Sequence, residues 1–308
     1  MTTKTMRAAA ATRFGGIEVL DVVEMPLPEP GPGQVRVRVR AAGIQPFDLA
    51  VRAGWTPPYG AVTFPQPLGN EFAGVIDAVG EQVTGIAPGA EVLGFSVLNA
   101  QAEYVVVPAD AVTPKPPEMP WEVAGGFTAG TQTATLALDQ LDIKLGDTLL
   151  VHAAAGSVGT AAVQLAQLRG ARVIGTASAA NQDYLRSLGA TPVIYGDTLA
   201  AQLTDLVPNG VDAVLDGAGG VALDLSLTLV SEPRQIVTLV DHDRAADLGV
   251  QLVNGTRSAE RLGRLAKLYA EGRLRFPVRR AYPMHQIQDA HREVETGHGS
   301  GKVVLTLD

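Results

Sequence analysis

Apolar runs in the second half of the chain are short and alternate with stretches of helical spacing. Each run is bounded by turn residues or polar positions, which favours strands over helices. Strands that alternate with helices are typical of an α/β fold with a doubly wound parallel sheet. The predicted strands are Thr148–Val151, Ala171–Ala177, Pro192–Tyr195, Val211–Leu215 and Gln235–Val240. The helical stretch after the first run has an apolar face that should lie on the sheet, formed by Val158, Ala162, Leu165 and Leu168.

The first part of the chain, from residue 7 to about 112, has a different pattern. Valines at 35, 37 and 39 alternate with arginines at 36, 38 and 40, which predicts a strand with one buried and one solvated face. Glu71–Val79 and Tyr104–Val107 are further strand candidates. The proline-rich segment 114–120 then forms a stiff connection suited to a domain boundary.

The C-terminal tail returns to a β-rich pattern. We expect a helix from Ser258 to about Glu271, the segment Arg273–Arg280, a short helix over Gln286–Glu295 and a final strand Lys302–Leu307. Because the parallel sheet already has enough strands, the tail is expected to rejoin the first domain. The predicted domains are therefore 1–117 with 273–308, and 118–272.

A loop of small residues, Ala153–Gly159, lies between the first predicted strand and its helix. Small residues let the backbone approach phosphates, and the N–H groups at the start of a helix stabilise their charge. The pattern predicts a dinucleotide site, although Ala154 stands where the usual G-x-G-x-x-G has its first glycine. A turn made of small residues for packing alone is the alternative interpretation.

Composition narrows the class of protein. A chain of 308 residues with 46% hydrophobic content can bury two cores, and its lack of cysteine excludes disulfides, thiolate nucleophiles and thiolate metal ligands. A net charge of −8 speaks against binding to nucleic acid. Neither a membrane-spanning apolar run nor a signal-peptide core is evident, so we expect a cytoplasmic protein without a membrane partner.

Several local strings together resemble one enzyme family. They are Met6–Ala8, Gly43–Asp48, Leu68–Ile76, Thr133–Ala134, Ala154–Gly159, Leu188–Ala190 and Gly301–Leu305. In their order and spacing they resemble the medium-chain dehydrogenase/reductase superfamily, and within it the zinc-free quinone oxidoreductase (zeta-crystallin-like) branch. The resemblance covers nearly the whole chain. It implies a GroES-like β-rich domain built from both chain ends, with a Rossmann domain between them.

Metal chemistry is the first question that this resemblance raises. The alcohol dehydrogenase branch uses a Cys and a His-Glu pair as zinc ligands, and Asn70 occupies the position that resembles the His. Only eight residues separate Phe95 from Tyr104, where that branch has a four-cysteine lobe. We therefore expect no metal site. Glu71 is interpreted as structural, and His285 and His291 as surface residues.

The end of the second strand of the parallel sheet bears on the choice of cofactor. NAD sites place a carboxylate there to bind the ribose, whereas this chain has Thr176–Ala177–Ser178. A carboxylate within about 4 Å of a 2′-phosphate would cost roughly 4 kcal/mol at an effective dielectric constant of 20. We therefore expect NADPH, with Ser178, Asn181 and Tyr195 as hydrogen-bonding residues by resemblance to similar reductases.

Other site residues are likewise implied by the resemblance. Gln45 corresponds to a position near the nicotinamide and substrate, with a polar turn cap as an equal alternative. Tyr59 lies in the substrate-proximal loop as a proton donor, although packing of that loop is the simpler interpretation. The remaining cofactor contacts are expected from Thr133, Ala155, Gly156, Ser157, Val158, Gly159, Gly217, Leu239 and Val240.

The expected activity is hydride transfer to a quinone or an α,β-unsaturated carbonyl without a metal. A trans-acting 2-enoyl-thioester reductase is an alternative, with Arg273, Arg275, Arg279 and Arg280 as its candidate cationic patch. A solvated strand face explains these arginines more simply. A non-catalytic, crystallin-like NADPH-binding protein is a third hypothesis. By resemblance, we expect a homodimer.

Overall fold

The computed structural model describes residues 4–57, 60–297 and 299–307. Tyr59 lies outside the described residues. The strands are β1 Thr5–Ala11, β2 Leu20–Pro26, β3 Gln34–Ile44, β4 Gln66–Pro67, β5 Glu71–Val79, β6 Glu91–Phe95, β7 Tyr104–Pro108, β8 Val112–Pro114, β9 Thr148–Val151, β10 Arg172–Ala177, β11 Thr191–Ile194, β12 Ala213–Asp216, β13 Ile236–Thr238, β14 Gln251–Leu252, β15 Val278–Pro283 and β16 Lys302–Thr306.

Helices follow most strands of the second half and are sparse in the first. They are α1 Pro46–Ala53, α2 Trp121–Gln140, α3 Ser157–Leu168, α4 Gln182–Ser187, α5 Leu199–Leu206, α6 Gly220–Ser226, α7 Ala245–Leu248, α8 Ala259–Ala270 and α9 Ile287–Glu295. Within the part of the chain that the structure describes, no helix has the length and apolar character needed to cross a bilayer.

The chain divides into two compact units. The β-rich unit comprises Met1–Ala129, Arg257–His298 and Lys302–Asp308, and the Rossmann unit comprises Gly130–Thr256 and Gly299–Gly301. Both divisions differ from the sequence-based boundaries at 117/118 and 272/273. The first division falls inside α2, and the second precedes α8. The proline-rich segment predicts where helix α2 begins. The boundary of a compact unit depends instead on which residues pack together, so the two positions differ.

The β-rich unit contains two sheets. One runs β15-β16-β3-β5-β6-β8, with β7 also paired to β3, and the other runs β2-β1-β4. The alternating valines of β3 are buried as predicted, and they share a core with residues of β5, β6, β16 and α9. The tail therefore joins the first part of the chain, because β16 pairs antiparallel with β3.

The Rossmann unit contains one parallel sheet of order β11-β10-β9-β12-β13-β14. All five strands predicted in this half are present, the first with the predicted bounds and the others with bounds that differ by at most two residues. The order reverses direction between β9 and β12, which is the topological switch point where open α/β sheets bind ligands. The predicted fold class, a GroES-like β-rich domain with a doubly wound Rossmann sheet, is confirmed.

Three details of the sequence-based picture were wrong or incomplete. Helix α3 is buried on all sides from Gly159 to Ala166, whereas Leu168, its last residue, is exposed. His291 is buried on α9, within hydrogen-bonding distance of Arg52 (Nδ1 to Nη1, 3.3 Å), rather than at the surface. Burial and this guanidinium lower its pKa from 6.5 to about 3. Helix α1 was not anticipated.

Candidate functional site

The loop after β9 lies at the switch point of the parallel sheet. The N–H of His152 donates to the carbonyl of Leu215 on β12 (2.9 Å), and that of Ala154 donates to Thr176 on β10 (2.9 Å). The loop is therefore held between the carboxyl ends of both neighbouring strands. Because all strands of this sheet are parallel, the residues after β10, β12 and β13 lie along the same edge.

Glycine is required where α3 approaches this loop. A Cβ at Gly159 would lie 2.5 Å from Cα of Ala154 and 2.6 Å from the carbonyl oxygen of Ala153. Ala153 itself adopts a positive φ of 55°, which turns the chain sharply. The third glycine of the motif thus permits close packing of helix and strand, the role that the fingerprint assigns to it.

The start of α3 fits a phosphate group. Its N-cap, Gly156, has no side chain, so no side-chain cap bond is made there. The first N–H groups of a helix have no acceptor within the helix, and here they belong to Ser157, Val158 and Gly159. The carbonyl of Ala155 accepts from the N–H of Gly301 (3.1 Å), which anchors the loop. Amide donors and a helix dipole at one point suit a pyrophosphate.

The end of β10 carries no carboxylate. Ser178 is half-buried directly after the strand, the N–H of Asn181 donates to the carbonyl of Ser178 (3.0 Å), and Tyr195 is half exposed, its N–H bonded to the carbonyl of Ala177 (3.3 Å). The three residues predicted for a 2′-phosphate are thus grouped at one strand end. Arg186 is exposed and paired with Asp183.

A buried aspartate shapes the turn after β12. One carboxylate oxygen of Asp216 accepts from the N–H groups of Ala218 (3.0 Å) and Gly219 (2.9 Å), and the other accepts from the hydroxyl of Thr238 (2.7 Å). A Cβ at Gly217 would lie 3.1 Å from the carbonyl oxygen of His152, so the turn packs closely against the β9 loop. Asp216 is therefore a structural anchor that sequence reasoning did not distinguish from its glycines.

The other residues predicted to contact the cofactor fall in the same unit. The N–H of Leu239 donates to the carbonyl of Asp216 (2.8 Å), and Val240 follows it with a partly exposed side chain. Thr133 is half-buried on α2, in the part of that helix that belongs to the Rossmann unit. The structure thus brings the loop and the strand ends together, whereas Gln45 belongs to the β-rich unit.

The buried side chain of His152, next to the loop, lies within hydrogen-bonding distance of two hydroxyl groups. Its Nδ1 lies 3.0 Å from the hydroxyl of Thr176, and its Nε2 lies 2.9 Å from that of Ser226. Burial lowers its pKa from 6.5 to about 4, and the nearby Asp216 carboxylate only partly opposes this. The imidazole is therefore neutral at physiological pH and bridges two strands of the motif to α6.

The β-rich unit contains a fully buried ion pair. Nζ of Lys302 lies 2.5 Å from Oε1 of Glu71, with side-chain exposures of 2% and 0%. The other oxygen of Glu71 accepts from the N–H of Ala129 (2.6 Å). The register of β16 on β3 pairs Val303 with Ile44, which brings Lys302 beside the residue after β3. The structural role expected for Glu71 is thus accounted for by specific partners.

Two amide side chains extend this ion pair. Nζ of Lys302 donates to Oε1 of Gln45 (3.2 Å), and Nε2 of Gln45 donates to Oδ1 of Asn70. The carbonyl of Asn70 accepts from Nη1 of Arg257 (2.8 Å). Burial lowers the pKa of Arg257, while Glu71 and then Asp48 act in the opposite direction. Gln45 therefore lies in a connected polar cluster and does more than cap a turn.

Asp48 joins the cluster through the first turn of α1. Its two carboxylate oxygens accept from the N–H groups of Gln45 (2.9 Å) and Gly69 (2.9 Å). Complete burial raises its pKa from 3.8 to about 7, a rise that Lys302 and the two backbone bonds oppose and that Glu71 reinforces. The carboxyl group thus ties α1 to the strand that leads into Asn70.

The donor set of this cluster does not fit zinc. Asn70 engages its side-chain oxygen with Gln45, and Glu71 is neutralised by Lys302. Across residues 4–57, 60–297 and 299–307, no group of three His, Asp or Glu side chains is placed to hold a metal ion. Neutral amides and an ammonium are poor replacements for the thiolate and imidazole ligands that zinc prefers.

Sequence reasoning singled out Gln45 but missed its partners. From the sequence alone, Asn70 indicates only the absence of a histidine, and Lys302 indicates only one of the family-like strings. A signal was present, because Lys302 precedes the apolar run 303–305 on a strand where its own position is inward-facing. Because lysine is almost never fully buried unless it is paired, a lysine at such a position predicts a buried partner.

Two protein-family models match the chain. The model described as alcohol dehydrogenase GroES-like domain matches residues 31–117, and the one described as zinc-binding dehydrogenase matches residues 188–305. The first falls within the β-rich unit. The second begins in the Rossmann unit and continues into the C-terminal strand of the β-rich unit.

Individual relatives agree with these matches. The quinone oxidoreductase from Coxiella burnetii is 30% identical, with a TM-score of 0.90 over 99% of this chain and 100% of that one. The quinone-oxidoreductase homolog, chloroplastic, of Spinacia oleracea is 28% identical over 328 residues, 99% of each chain. The spectinabilin polyketide synthase system protein NorB of Streptomyces orinoci is 34% identical over 80% of this chain, which spans 12% of that protein.

Both units, their topology and their sequences thus agree with one family of oxidoreductases that use a nicotinamide dinucleotide. The chain therefore belongs to the medium-chain dehydrogenase/reductase superfamily.

Proposed function

We propose that this protein is an NADPH-dependent, zinc-independent oxidoreductase that reduces a quinone or an α,β-unsaturated carbonyl. The observation that carries the proposal is the amide pair Gln45–Asn70, linked to buried Lys302, at the position where related dehydrogenases hold a metal. Hydrogen-bond donors suit an acceptor whose negative charge is delocalised as it forms. In an alkoxide the charge stays on one oxygen, and the alcohol dehydrogenase branch stabilises it with a metal ion.

The loop at Gly156–Gly159 supports dinucleotide binding, and the end of β10 supports the choice of NADPH. Ser178, Asn181 and Tyr195 present polar groups there without a carboxylate that would repel a 2′-phosphate. When bound, the dihydronicotinamide supplies a hydride equivalent. The chain's own contribution is to bind the pyrophosphate on α3, orient the substrate carbonyl and exclude water.

Proton delivery is proposed to come from solvent or from Tyr59. Tyr59 lies outside the described residues, so its role rests on the resemblance to enoyl reductases alone. Gln45 acts by hydrogen bonding rather than by proton transfer, because a neutral amide does not titrate in the physiological range.

The test is oxidation of NADPH by the purified, chelator-treated protein with an ortho-quinone, beside NADH under identical conditions. We expect turnover that prefers NADPH and is indifferent to chelator. Equal rates with both cofactors would remove the NADPH preference. Loss of activity on chelation, restored by Zn²⁺, would overturn the zinc-independent assignment.

A matched pair of variants tests the cofactor assignment. Ser178→Asp places a carboxylate at the end of β10, where Coulomb repulsion should raise the KM for NADPH about 10- to 100-fold and leave that for NADH nearly unchanged. Ser187→Asp adds the same charge at the exposed end of α4 and should alter neither. An unchanged KM for NADPH in Ser178→Asp would place the 2′-phosphate elsewhere.

The polyketide synthase relative favours a second candidate, a trans-acting 2-enoyl-thioester reductase. The arginines expected for a carrier patch do not support it, because Arg279 and Arg280 pair with Glu293 and Arg273 pairs with Glu271. Including enoyl thioesters in the substrate panel separates the two activities. Failure of every acceptor, with NADPH still bound, would instead support a non-catalytic binding protein.

We also propose that the chain forms a homodimer through its Rossmann sheets. Strand β14 is the edge strand of that sheet, and Leu252 and Val240 are exposed apolar residues at or near that end. A sheet edge with exposed apolar side chains is a surface that proteins usually pair or shield.

A further inference from the structure

The hydrogen bonds from Lys302 through Gln45 to Asn70 in the β-rich unit all run from donor to acceptor in the same order. An ammonium group has three donors and no acceptor, so Lys302 can meet Gln45 only at the amide oxygen, Oε1. The amide nitrogen of Gln45 must then point away from Lys302, toward Asn70. Because this nitrogen is a donor, Asn70 must accept the hydrogen bond with its side-chain oxygen. The observed contacts follow this order. One donor-only residue therefore fixes the orientation of two amides in series.

The end of this chain of bonds is Nδ2 of Asn70. Among the described residues no acceptor is paired with this nitrogen, and it is not one of the buried side-chain nitrogens without a partner. The backbone of Asn70 is held, because its carbonyl accepts from Nη1 of Arg257 (2.8 Å) and the N–H of Ser96 (3.2 Å). The fixed amide thus keeps the N–H donors of Nδ2 available.

Lys302 is itself held firmly. Its charge is balanced by Glu71 at 2.5 Å, and two glycines make room for the pair. A Cβ at Gly43 would lie 2.1 Å from Oε1 of Glu71 and 2.8 Å from Cε of Lys302, and one at Gly126 would lie 2.7 Å from Cγ of Lys302. The backbone on both sides is therefore shaped around an ion pair that would be costly to bury unpaired.

We propose that Lys302 is a positioning residue that orients Gln45 and Asn70, so that Nδ2 of Asn70 donates a hydrogen bond to the carbonyl oxygen of the substrate. The inference rests on the proposed reductase function. It assigns to Asn70 part of the work that a metal ion does in related dehydrogenases. Lys302 acts on the reaction only through the two amides.

The chemical step balances without a proton from the amides. The electron-poor carbon would receive a hydride from bound NADPH, which would be oxidised to NADP⁺. The π pair of the substrate double bond moves toward oxygen, and solvent supplies the proton that completes the product. The N–H of Asn70 stays bonded to its nitrogen throughout. Its hydrogen bond strengthens as negative charge grows on the oxygen, so it stabilises the transition state more than the bound substrate.

Gln45→Glu is the most direct test. The introduced carboxylate still accepts from Lys302 but has no proton to donate, so Asn70 must reverse its amide and turn Oδ1 toward the substrate. We expect kcat with an enone or quinone to fall roughly 100-fold, the typical effect of losing one oxyanion donor, with KM changed less than about threefold. A kcat within threefold of wild type would overturn the proposal.

The chain offers a matched control. Gln66 and Asn99 form another Gln–Asn side-chain pair in the same unit, with Nε2 of Gln66 donating to Oδ1 of Asn99 (2.8 Å). Gln66→Glu breaks the same kind of bond without touching Gln45, and we expect its kcat to stay within about twofold of wild type. A fall equal to that of Gln45→Glu would mean that loss of any buried amide pair in this unit impairs the enzyme.

The role of Lys302 is tested by the double variant Lys302→Met/Glu71→Gln, which removes both charges of this ion pair together, so that neither is left without the other. Without the ammonium, the two orientations of the amides become comparable in energy, so about half of the molecules should hold Asn70 reversed. We expect kcat to fall at least twofold, yet less than in Gln45→Glu. A kcat equal to wild type would make Lys302 merely structural.

A binding measurement separates this inference from the proposed activity. Protein labelled with ¹⁵N in asparagine side chains is titrated with cyclohexanone, a carbonyl compound that cannot undergo conjugate reduction, and the Asn70 signal is assigned by its loss in Asn70→Asp. We expect a ketone-dependent shift in wild type that is lost in Gln45→Glu. Absence of that shift in wild type rejects the hydrogen bond, whatever the enzyme turns over. A shift without turnover retains the hydrogen bond and rejects the reductase activity.

Discussion

At the scale of single residues, Asp48 shows how burial changes the chemistry of an ordinary side chain. It lies in the first turn of α1 and accepts from two backbone N–H groups, yet it is completely buried near Glu71 and Lys302. Burial raises its pKa to about 7, so the carboxyl is half protonated near neutral pH. No local pattern around Asp48 indicates this, because desolvation is imposed by residues far along the chain.

The sign of the resulting pH effect is definite. The folded state holds a proton on Asp48 up to about pH 7, whereas the unfolded chain releases it near pH 4, so stability from this group is lost as pH rises between these values. Between pH 5 and 8 the loss should be about 3 kcal/mol relative to Asp48→Asn, because a slope of about 1.4 kcal/mol per pH unit applies only up to the folded-state pKa of about 7. Urea unfolding of both proteins measures it.

A matched change at an exposed position provides the control. Asp197→Asn should keep the wild-type dependence of unfolding free energy on pH, because Asp197 lies at the surface. Parallel curves for wild type and Asp48→Asn would show that the carboxyl of Asp48 keeps its ordinary pKa.

At the scale of elements, local signals predicted the Rossmann strands and the glycine loop well. Strands β9 to β13 are short apolar runs between turn residues, and that pattern is readable one segment at a time. The burial of α3 was harder to predict, because small residues such as Ala161 and Ala166 pack as tightly as leucines when two surfaces approach closely. Periodicity alone does not report such packing.

Packing of α3 against the loop yields a prediction. Gly159→Ala would force its new Cβ to 2.5 Å from Cα of Ala154, so the helix must shift. We expect a loss of about 1–3 kcal/mol in stability and at least tenfold weaker NADPH binding. Fluorescence titration with NADPH and thermal unfolding measure the two effects.

Gly263→Ala is the helical control for that substitution. In α8 the added Cβ would meet only the hydroxyl of Thr113 at 3.0 Å, and alanine favours a helix over glycine. NADPH binding should be unchanged in this variant. Equal weakening of binding by both substitutions would contradict a specific role for Gly159.

At the scale of the whole molecule, the chain forms two units, one of which is assembled from both ends of the sequence. The antiparallel pairing of β16 with β3 completes the larger sheet of that unit. The edge strand β14 of the other unit is the basis for the proposed dimer.

Sedimentation velocity at micromolar concentration tests the dimer. We expect about twice the chain mass of 32.1 kDa, because pairing would cover the β14 edge and its apolar neighbours. Leu252→Lys, which places a charge on that edge strand, should shift the protein toward monomer. A monomer mass for wild type would reject the homodimer.

The sequence by itself determined the class of fold, the alternating elements of the Rossmann half, the glycine loop and the absence of thiolate ligands. These features depend on residue type and on spacing within one element, which local periodicity records. Only the tertiary structure decided that Lys302 meets Glu71 and Gln45, because strand register joins segments more than 200 residues apart. The role of a buried charge depends on the residues that it contacts, and those contacts depend on the register in which the strands pair.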